Sequence, residues 1–243
     1  MQTLQVEQVH KSFNALKVLD NVNIRVEKGQ FAAIVGPSGC GKSTLLRMIA
    51  GLEFPDSGQV LADGKPITKP SPERMMIFQE HALYPWSTVE GNVGLGLELA
   101  KVPKQEYKER IKNVLEKVGL SGFESYYPSQ LSGGMRQRVS IARALVMEPD
   151  VLLLDEPYGA LDAMTRLTMQ NELIKLWQGS GKTMLLITHD IDEAIYLADR
   201  IFVMSARPGR VVETMDLDMP RPRNRNSEKF VQARQDIMGI LGL

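Results

Sequence analysis

The run FAAIVGPSGCGKSTLLRMIAG, residues 31–51, constrains the fold more than any other stretch. Five apolar residues suited to a buried strand lead into a glycine-rich loop. An apolar helical segment follows and stops near Gly51. Strand, tight loop and helix in immediate succession open an α/β layer. The loop fits the pattern G-x-x-x-x-G-K-[ST] through Gly36, Gly41, Lys42 and Ser43. Each residue type has a chemical reason to be there. The glycines let backbone N–H groups turn inward on a β-phosphate, the lysine sets a charge between β- and γ-phosphates, and the hydroxyl can ligate Mg²⁺. Pro37, Ser38, Gly39, Cys40 and Thr44 complete the cradle. Kinases, GTPases and motor ATPases share such loops, so the loop fixes a ligand class and not a reaction.

Further strands are expected at 74–78 (RMMIF), 151–155 (VLLLD), 183–188 (TMLLIT) and 200–204 (RIFVM), apolar enough to be covered on both faces. Residues 58–67 carry an Asp63-Gly64 turn and read as a hairpin. Between about 87 and 146 the patterns are helical, clearest in PKQEYKERIKNVLEKVG at 103–119. There Pro103 suits a first turn, Gly119 suits the stop, and Tyr107, Ile111, Val114, Leu115 and Val118 share a face. A helical lobe thus interrupts an α/β core. PRPRNRN at 220–226 reads as a solvated linker before a terminal helix from about Ser227.

VLLLDEP places two acids at the C-terminal edge of a buried strand, where α/β sheets bind ligands. Asp155 suits Mg²⁺ and Glu156 an attacking water. Because neighbours in a strand point opposite ways, a turn at Glu156 must bring the second carboxylate round. Lys+Arg and Asp+Glu both total 29, which argues against a surface built to track nucleic acid. No apolar run approaches the ~18–20 residues that span a bilayer, the first residues lack a signal-peptide pattern, and a single cysteine excludes an internal disulfide. These features fit a soluble chain in a reducing cytosol and do not exclude docking onto a membrane protein.

LSGGMRQR at 131–138 is a second potential anion cradle, a serine and two glycines opening a basic helix. With it the chain resembles the nucleotide-binding subunit of an ABC transporter, from Phe13 to His189. GPSGCGKST resembles Walker A, Gln79 the Q-loop glutamine, LSGGMRQR the signature, VLLLDEP Walker B, GALD (159–162) the D-loop and His189 the switch histidine. The resemblance implies a P-loop NTPase cassette: an α/β RecA-like core with a small antiparallel β subdomain (1–86 and 147–226), an inserted helical subdomain (87–146) and a C-terminal helix (227–243). It also implies a head-to-tail dimer, in which Ser132, Gly133, Gly134 and Gln137 of one cassette meet the ATP held by the other, with Asp162 at the interface. Glu156, His189 and Gln79 would then serve hydrolysis, and Ser43, Gln79 and Asp155 the Mg²⁺. Phe13 falls where the family stacks an aromatic on adenine, although a strand phenylalanine equally suits a core. Tyr158 stands where phenylalanine is usual before GALD, and no loss of function is expected from it.

Two function classes follow from the resemblance. One is the ATPase subunit of an importer, bound to a separate permease at the cytoplasmic face of a bacterial inner membrane and served by a solute-binding protein. The other is a soluble ABC ATPase of DNA repair or translation, which would carry coiled-coil insertions or two cassettes; neither is visible here. Stretches 78–93 and 204–224 resemble cassettes of nitrate, sulfonate and taurine importers. Tyr84, Pro85 and Trp86 form a stiff aromatic cluster, suited either to receive a permease helix or to plug a core gap. Cys40 is either a reactive thiol beside Lys42 or an inert filler of the turn.

Overall fold

The computed structural model describes residues 2–79, 82–159 and 161–243. Strands β1 (Leu4–Phe13), β2 (Leu16–Val26), β4 (Ser57–Ala62) and β5 (Lys65–Pro66) form an antiparallel sheet in the order β2-β1-β4-β5. Strands β3 (Phe31–Val35), β6 (Arg74–Ile77), β7 (Val151–Asp155), β8 (Thr183–Thr188), β9 (Arg200–Met204) and β10 (Val211–Asp216) form the second, in the order β10-β9-β3-β8-β7-β6. All pairs in it are parallel except β9 with β10. Helix α1 (Lys42–Ala50) follows β3. Helices α2 (Val89–Leu99), α3 (Lys104–Lys117), a 3₁₀ turn (Pro128–Gln130) and α4 (Gly133–Leu145) lie between β6 and β7. Helices α5 (Ala163–Trp177), α6 (Ile191–Leu197) and α7 (Glu228–Leu241) complete the chain. This is the α/β core with an antiparallel β subdomain and an inserted helical lobe that the sequence leads one to expect.

Every residue of β3, β7 and β8 is buried, and the period of two assigns each to one of two cores. Ala32, Ile34, Leu153 and Leu185 pack with α1 and the antiparallel sheet, whose contribution includes Val6, Val22 and Val60. Phe31, Ala33, Leu154 and Leu186 pack toward the other helices, including Val93, Leu115 and Val139 of the lobe. Helix α1 buries Leu45, Leu46 and Ile49 completely, each worth ~1.5–3 kcal/mol relative to exposure. The phosphate loop therefore stands between two anchored elements.

The tail is not the solvated linker that its composition suggests. Arg223 is only 5% exposed and donates from Nη1 to the carbonyls of Ile195 and Ala198. Arg221 donates to Leu197 O at 2.6 Å and to Asp199 at 2.5 Å. These carbonyls close α6, where the last turn lacks intrahelical donors and the helix dipole favours cations. Burial, and then the neighbouring Arg221, lower the Arg223 pKa to about 10. Polar residues that look solvated in sequence are here the caps of a helix end.

Candidate functional site

The phosphate loop runs from the end of β3 to the start of α1. Gly41 occupies the N-cap of α1 at φ 105°, and a β-carbon there would lie 2.6 Å from Leu19 Cδ2. Only glycine fits both constraints. No side chain caps α1, so its first N–H groups stay available to an anion and the helix dipole favours one. Lys42 is buried, and its Nζ donates to Gly36 O at 2.7 Å and Pro37 O at 3.0 Å. Cys40 is buried with its side chain in the core, which resolves the two readings of this residue. The thiol fills the turn and is out of reach of a bulky reagent in the folded chain; what Cys40 offers a ligand is backbone.

The acidic end of β7 sits beside this loop. Ser43 Oγ donates to Asp155 Oδ1 at 3.0 Å. Burial pushes the Asp155 carboxyl up. Such a buried carboxylate, with a hydroxyl beside it, is a fitting half-site for a hard divalent cation. Among the described residues no three His, Cys, Asp or Glu side chains gather as a closed metal cage. Glu156 takes φ 43° directly after the strand, and its amide donates to Ile187 O at 3.0 Å. A left-handed conformation costs about 1–2 kcal/mol in a non-glycine residue. It swings the carboxylate out of strand alternation and toward β8, where Glu156 Oε2 meets His189 Nδ1 at 2.9 Å. Gln79 is exposed after β6, its Nε2 3.9 Å from where a β-carbon of Gly159 would stand. Asp155, Glu156 and His189 thus meet at the C-terminal edge of β7 and β8, with Gln79 nearby.

A cleft of about 350 Å³ opens from this edge. Phe13, Leu16 and Val18 form one wall, the phosphate loop the other, with Glu156 and Arg207 completing the lining. Phe13 is 43% exposed, so the core reading of this residue fails, and Lys11 Nζ lies over its ring, 5.1 Å from the centroid. Arg207 escapes sequence reasoning, because its partner Gly39 is 168 residues away.

The second cradle is elsewhere. Ser132 is the exposed N-cap of α4 and accepts from Met135 N at 3.2 Å, and Gly133 and Gly134 form the first turn. Ser132 and Gly134 line a groove with Met164 and Thr165 that shares no residue with the phosphate-loop cleft. Gln137 departs from expectation. It is fully buried within the lobe, so it supports α4 from inside and presents nothing to a nucleotide on another chain. Asp162 caps α5 by accepting from Thr165 N at 3.0 Å, a bond that holds its carboxyl below the usual range. Ala160 of GALD, and Glu80 and His81 in the stretch after β6, lie outside the described residues.

Tyr84, Pro85 and Trp86 are all exposed, Trp86 at 76%. That removes the gap-filling reading of Trp86. Its loop is nonetheless held firmly. Buried Asn92 accepts from Tyr84 N at 2.8 Å and donates to the carbonyls of Tyr84, Ser87 and Thr88, and Arg143 donates to Ala82 O at 2.7 Å.

Tyr158 is 2% exposed, and its hydroxyl has no hydrogen-bond partner among the described residues. Burial, and then the charges of Glu193 and Glu172, raise its pKa well above the ordinary value. An unsatisfied buried hydroxyl costs about 1–3 kcal/mol. Tyr158→Phe is therefore expected to raise Tm, by roughly 2–4 °C per kcal/mol in a chain of this size. Calorimetry checks this, and an unchanged or lower Tm would show that the hydroxyl is satisfied in solution.

A family model described as "ABC transporter" matches residues 19–159. An uncharacterized ABC transporter ATP-binding protein, MJ0412 of Methanocaldococcus jannaschii, is 51% identical over 98% of this chain and 91% of its own. The aliphatic sulfonates import ATP-binding protein SsuB of Bacillus cereus is 49% identical over 97% of this chain and 94% of its own. Among solved structures, cbiO1 from Clostridium perfringens, part of the ABC transporter complex cbiONQ, superposes with a TM-score of 0.82 at 31% identity, covering 98% of this chain and 95% of that one. The dimeric ABC transporter cassette MJ0796 does so at 0.78 and 33%, covering 89% and 100%.

Proposed function

Because the chain belongs to the ABC transporter family, as an ATP-binding and ATP-hydrolysing cassette, we propose that it powers uptake of a small sulfonate through a separate permease. One observation carries the choice of solute. Several relatives at 48–49% identity over nearly the whole chain are aliphatic sulfonate import proteins. Nitrate and taurine importers are the neighbouring options. The chain is then peripheral, at the cytoplasmic face of the membrane; among the described residues no helix is long and apolar enough to cross it. A solute-binding protein acts at one remove, delivering the sulfonate to the permease.

In this reading ATP lies in the cleft with adenine on Phe13 and its β- and γ-phosphates on the N–H groups of the loop and of α1. Lys42 neutralises charge on the β- and γ-oxygens. Ser43 and Asp155 would hold Mg²⁺, with Gln79 after β6 as a further candidate, and the ion would supply charge neutralisation on the phosphates. Glu156 takes a proton from the attacking water as that water's oxygen bonds to the γ-phosphorus. The bond to the β,γ-bridging oxygen breaks, and ADP leaves with the electron pair. His189, 2.9 Å from Glu156, fixes the carboxylate and faces the γ-phosphate. The signature at Ser132 and Gly134 cannot serve the cleft of its own chain, since the two lie in separate grooves. A second copy placed head to tail brings each signature to the other's phosphate loop, and this isologous pairing closes as a dimer. The α/β parts (1–86 and 147–226) and the helical lobe (87–146) act as the two working units of each cassette, with 227–243 packed behind.

Vesicles holding the chain, its permease and its solute-binding protein test the solute. ATP-driven uptake of labelled ethanesulfonate is expected. Uptake of nitrate with none of either sulfonate reassigns the solute, uptake of taurine alone narrows it to an aminosulfonate, and ATP hydrolysis that never couples to any permease overturns the importer reading.

A further inference from the structure

The loop between β9 and β10, residues 205–210, packs directly on the phosphate loop. Gly209 makes the contact possible, because a β-carbon there would lie 2.1 Å from Cys40 O. Its amide donates to Val18 O at 2.8 Å and its carbonyl accepts from Asp20 N at 3.0 Å, adding a short parallel bridge to β2. Arg210 Nε donates to Asp20 Oδ2 at 2.9 Å. Bonds from Lys17 and then Arg210 hold the Asp20 carboxyl down at about 2, so the tie stays charged through the neutral range. The loop therefore touches both walls of the cleft: β2, which carries Leu16 and Val18, and the phosphate loop itself.

Arg207 makes the contact specific. Its Nε and Nη2 both donate to Gly39 O, at 2.9 and 2.8 Å. A peptide unit is planar with C=O and N–H opposed, so gripping the Gly39 carbonyl fixes where the Cys40 N–H points. From the other side that N–H reaches Pro37 O, at a long 3.4 Å. The two bonds from the guanidinium are the stronger hold on this peptide. Arg207 is exposed and lines the cleft, and its Nη1 makes no hydrogen bond among the described residues. A cation with a spare donor thus stands at the edge of a cleft built for a polyphosphate.

We propose that Arg207 is a positioning residue of the nucleotide site, bracing the phosphate loop through Gly39 and adding its charge to the field that holds the phosphate chain. The proposal rests on ATP occupying this cleft. It makes the β9–β10 loop part of the site. Since Arg207 acts on the loop and not on the reacting atoms, ground state and transition state gain equally, and affinity should respond while turnover does not.

The test titrates a fluorescent ADP analogue and MgATP against the full chain and against Arg207→Ala and Arg207→Lys. A charge-assisted bond worth about 1.5–3 kcal/mol corresponds to about 10–100-fold in affinity. Arg207→Ala is expected to weaken both nucleotides by about tenfold or more and to raise KM, with kcat within about twofold. Arg207→Lys keeps the charge but not the double grip, so it should fall between the two. The loss should also shrink at high salt, which a purely structural defect would not do. Wild-type affinity in both variants overturns the proposal and leaves ATP binding standing. A kcat loss with unchanged affinity also overturns it. If Arg207→Ala fails to fold, Arg207→Lys decides: wild-type affinity refutes the brace, and an intermediate Kd at unchanged Tm upholds it. Failure of the unaltered chain to bind either nucleotide defeats both this proposal and the reading beneath it.

Discussion

Glu156→Gln is expected to bind ATP as tightly as the unaltered chain and to hydrolyse it ~10²–10⁴-fold more slowly, the usual contribution of a positioned general base. The amide has the shape of the carboxylate and can still hydrogen-bond His189, 2.9 Å away in the native chain. What it cannot do is accept a proton from water. The local geometry should survive, because the left-handed backbone at Glu156 is fixed by the amide bond to Ile187 O rather than by the side chain. With the γ-phosphate uncleaved, both cradles of a head-to-tail pair stay filled. The variant should therefore accumulate as an ATP-dependent dimer. Phosphate release measures the first effect and light scattering the second. Turnover at the native rate would remove Glu156 from the chemistry. Loss of ATP binding would point instead to a disrupted phosphate loop.

What the sequence discloses follows from how local each cause is. FAAIV, VLLLD and TMLLIT are legible as strands because sheets covered on both faces need unbroken apolar runs. The phosphate loop is legible because one glycine pattern serves one ligand geometry. The polar VVETMD of β10 is not legible. It is an exposed antiparallel edge, stabilised by β9 and not by an apolar face of its own. Arg221 and Arg223 misread as solvated, since the carbonyls they cap belong to the end of α6, more than twenty residues earlier. Gln137 lies in a motif, but helix geometry decides which motif residues face outward, and this one faces the core. Arg207 is invisible for the same reason at longer range. A six-residue loop says nothing of Gly39 until β9 sets it beside β3.

Trp86→Ala is expected to separate ATP handling from transport. The indole is 76% exposed and tilts against Tyr84, ring centroids 5.5 Å apart. Arg143 lies over the other aromatic, 5.9 Å from the Tyr84 centroid. An exposed side chain contributes little to folding, typically within about 0.5 kcal/mol, so Tm and ATP affinity of the free cassette should barely move. Binding is another matter. A rigid aromatic anchor buries large area with few rotors, and such hot spots are worth about 2 kcal/mol or more, roughly thirtyfold in affinity. The loop is well placed for this because Asn92 and Arg143 hold its backbone while leaving its rings outside. It also begins only a few residues after Gln79 in the sequence. Permease assembly should weaken by that roughly thirtyfold factor, and solute-stimulated ATPase activity in vesicles should be lost, while basal hydrolysis by the free cassette persists. Normal transport by a folded Trp86→Ala chain would take the docking role away from this cluster. A variant that unfolds would mean that the indole is covered in solution, against its exposure here.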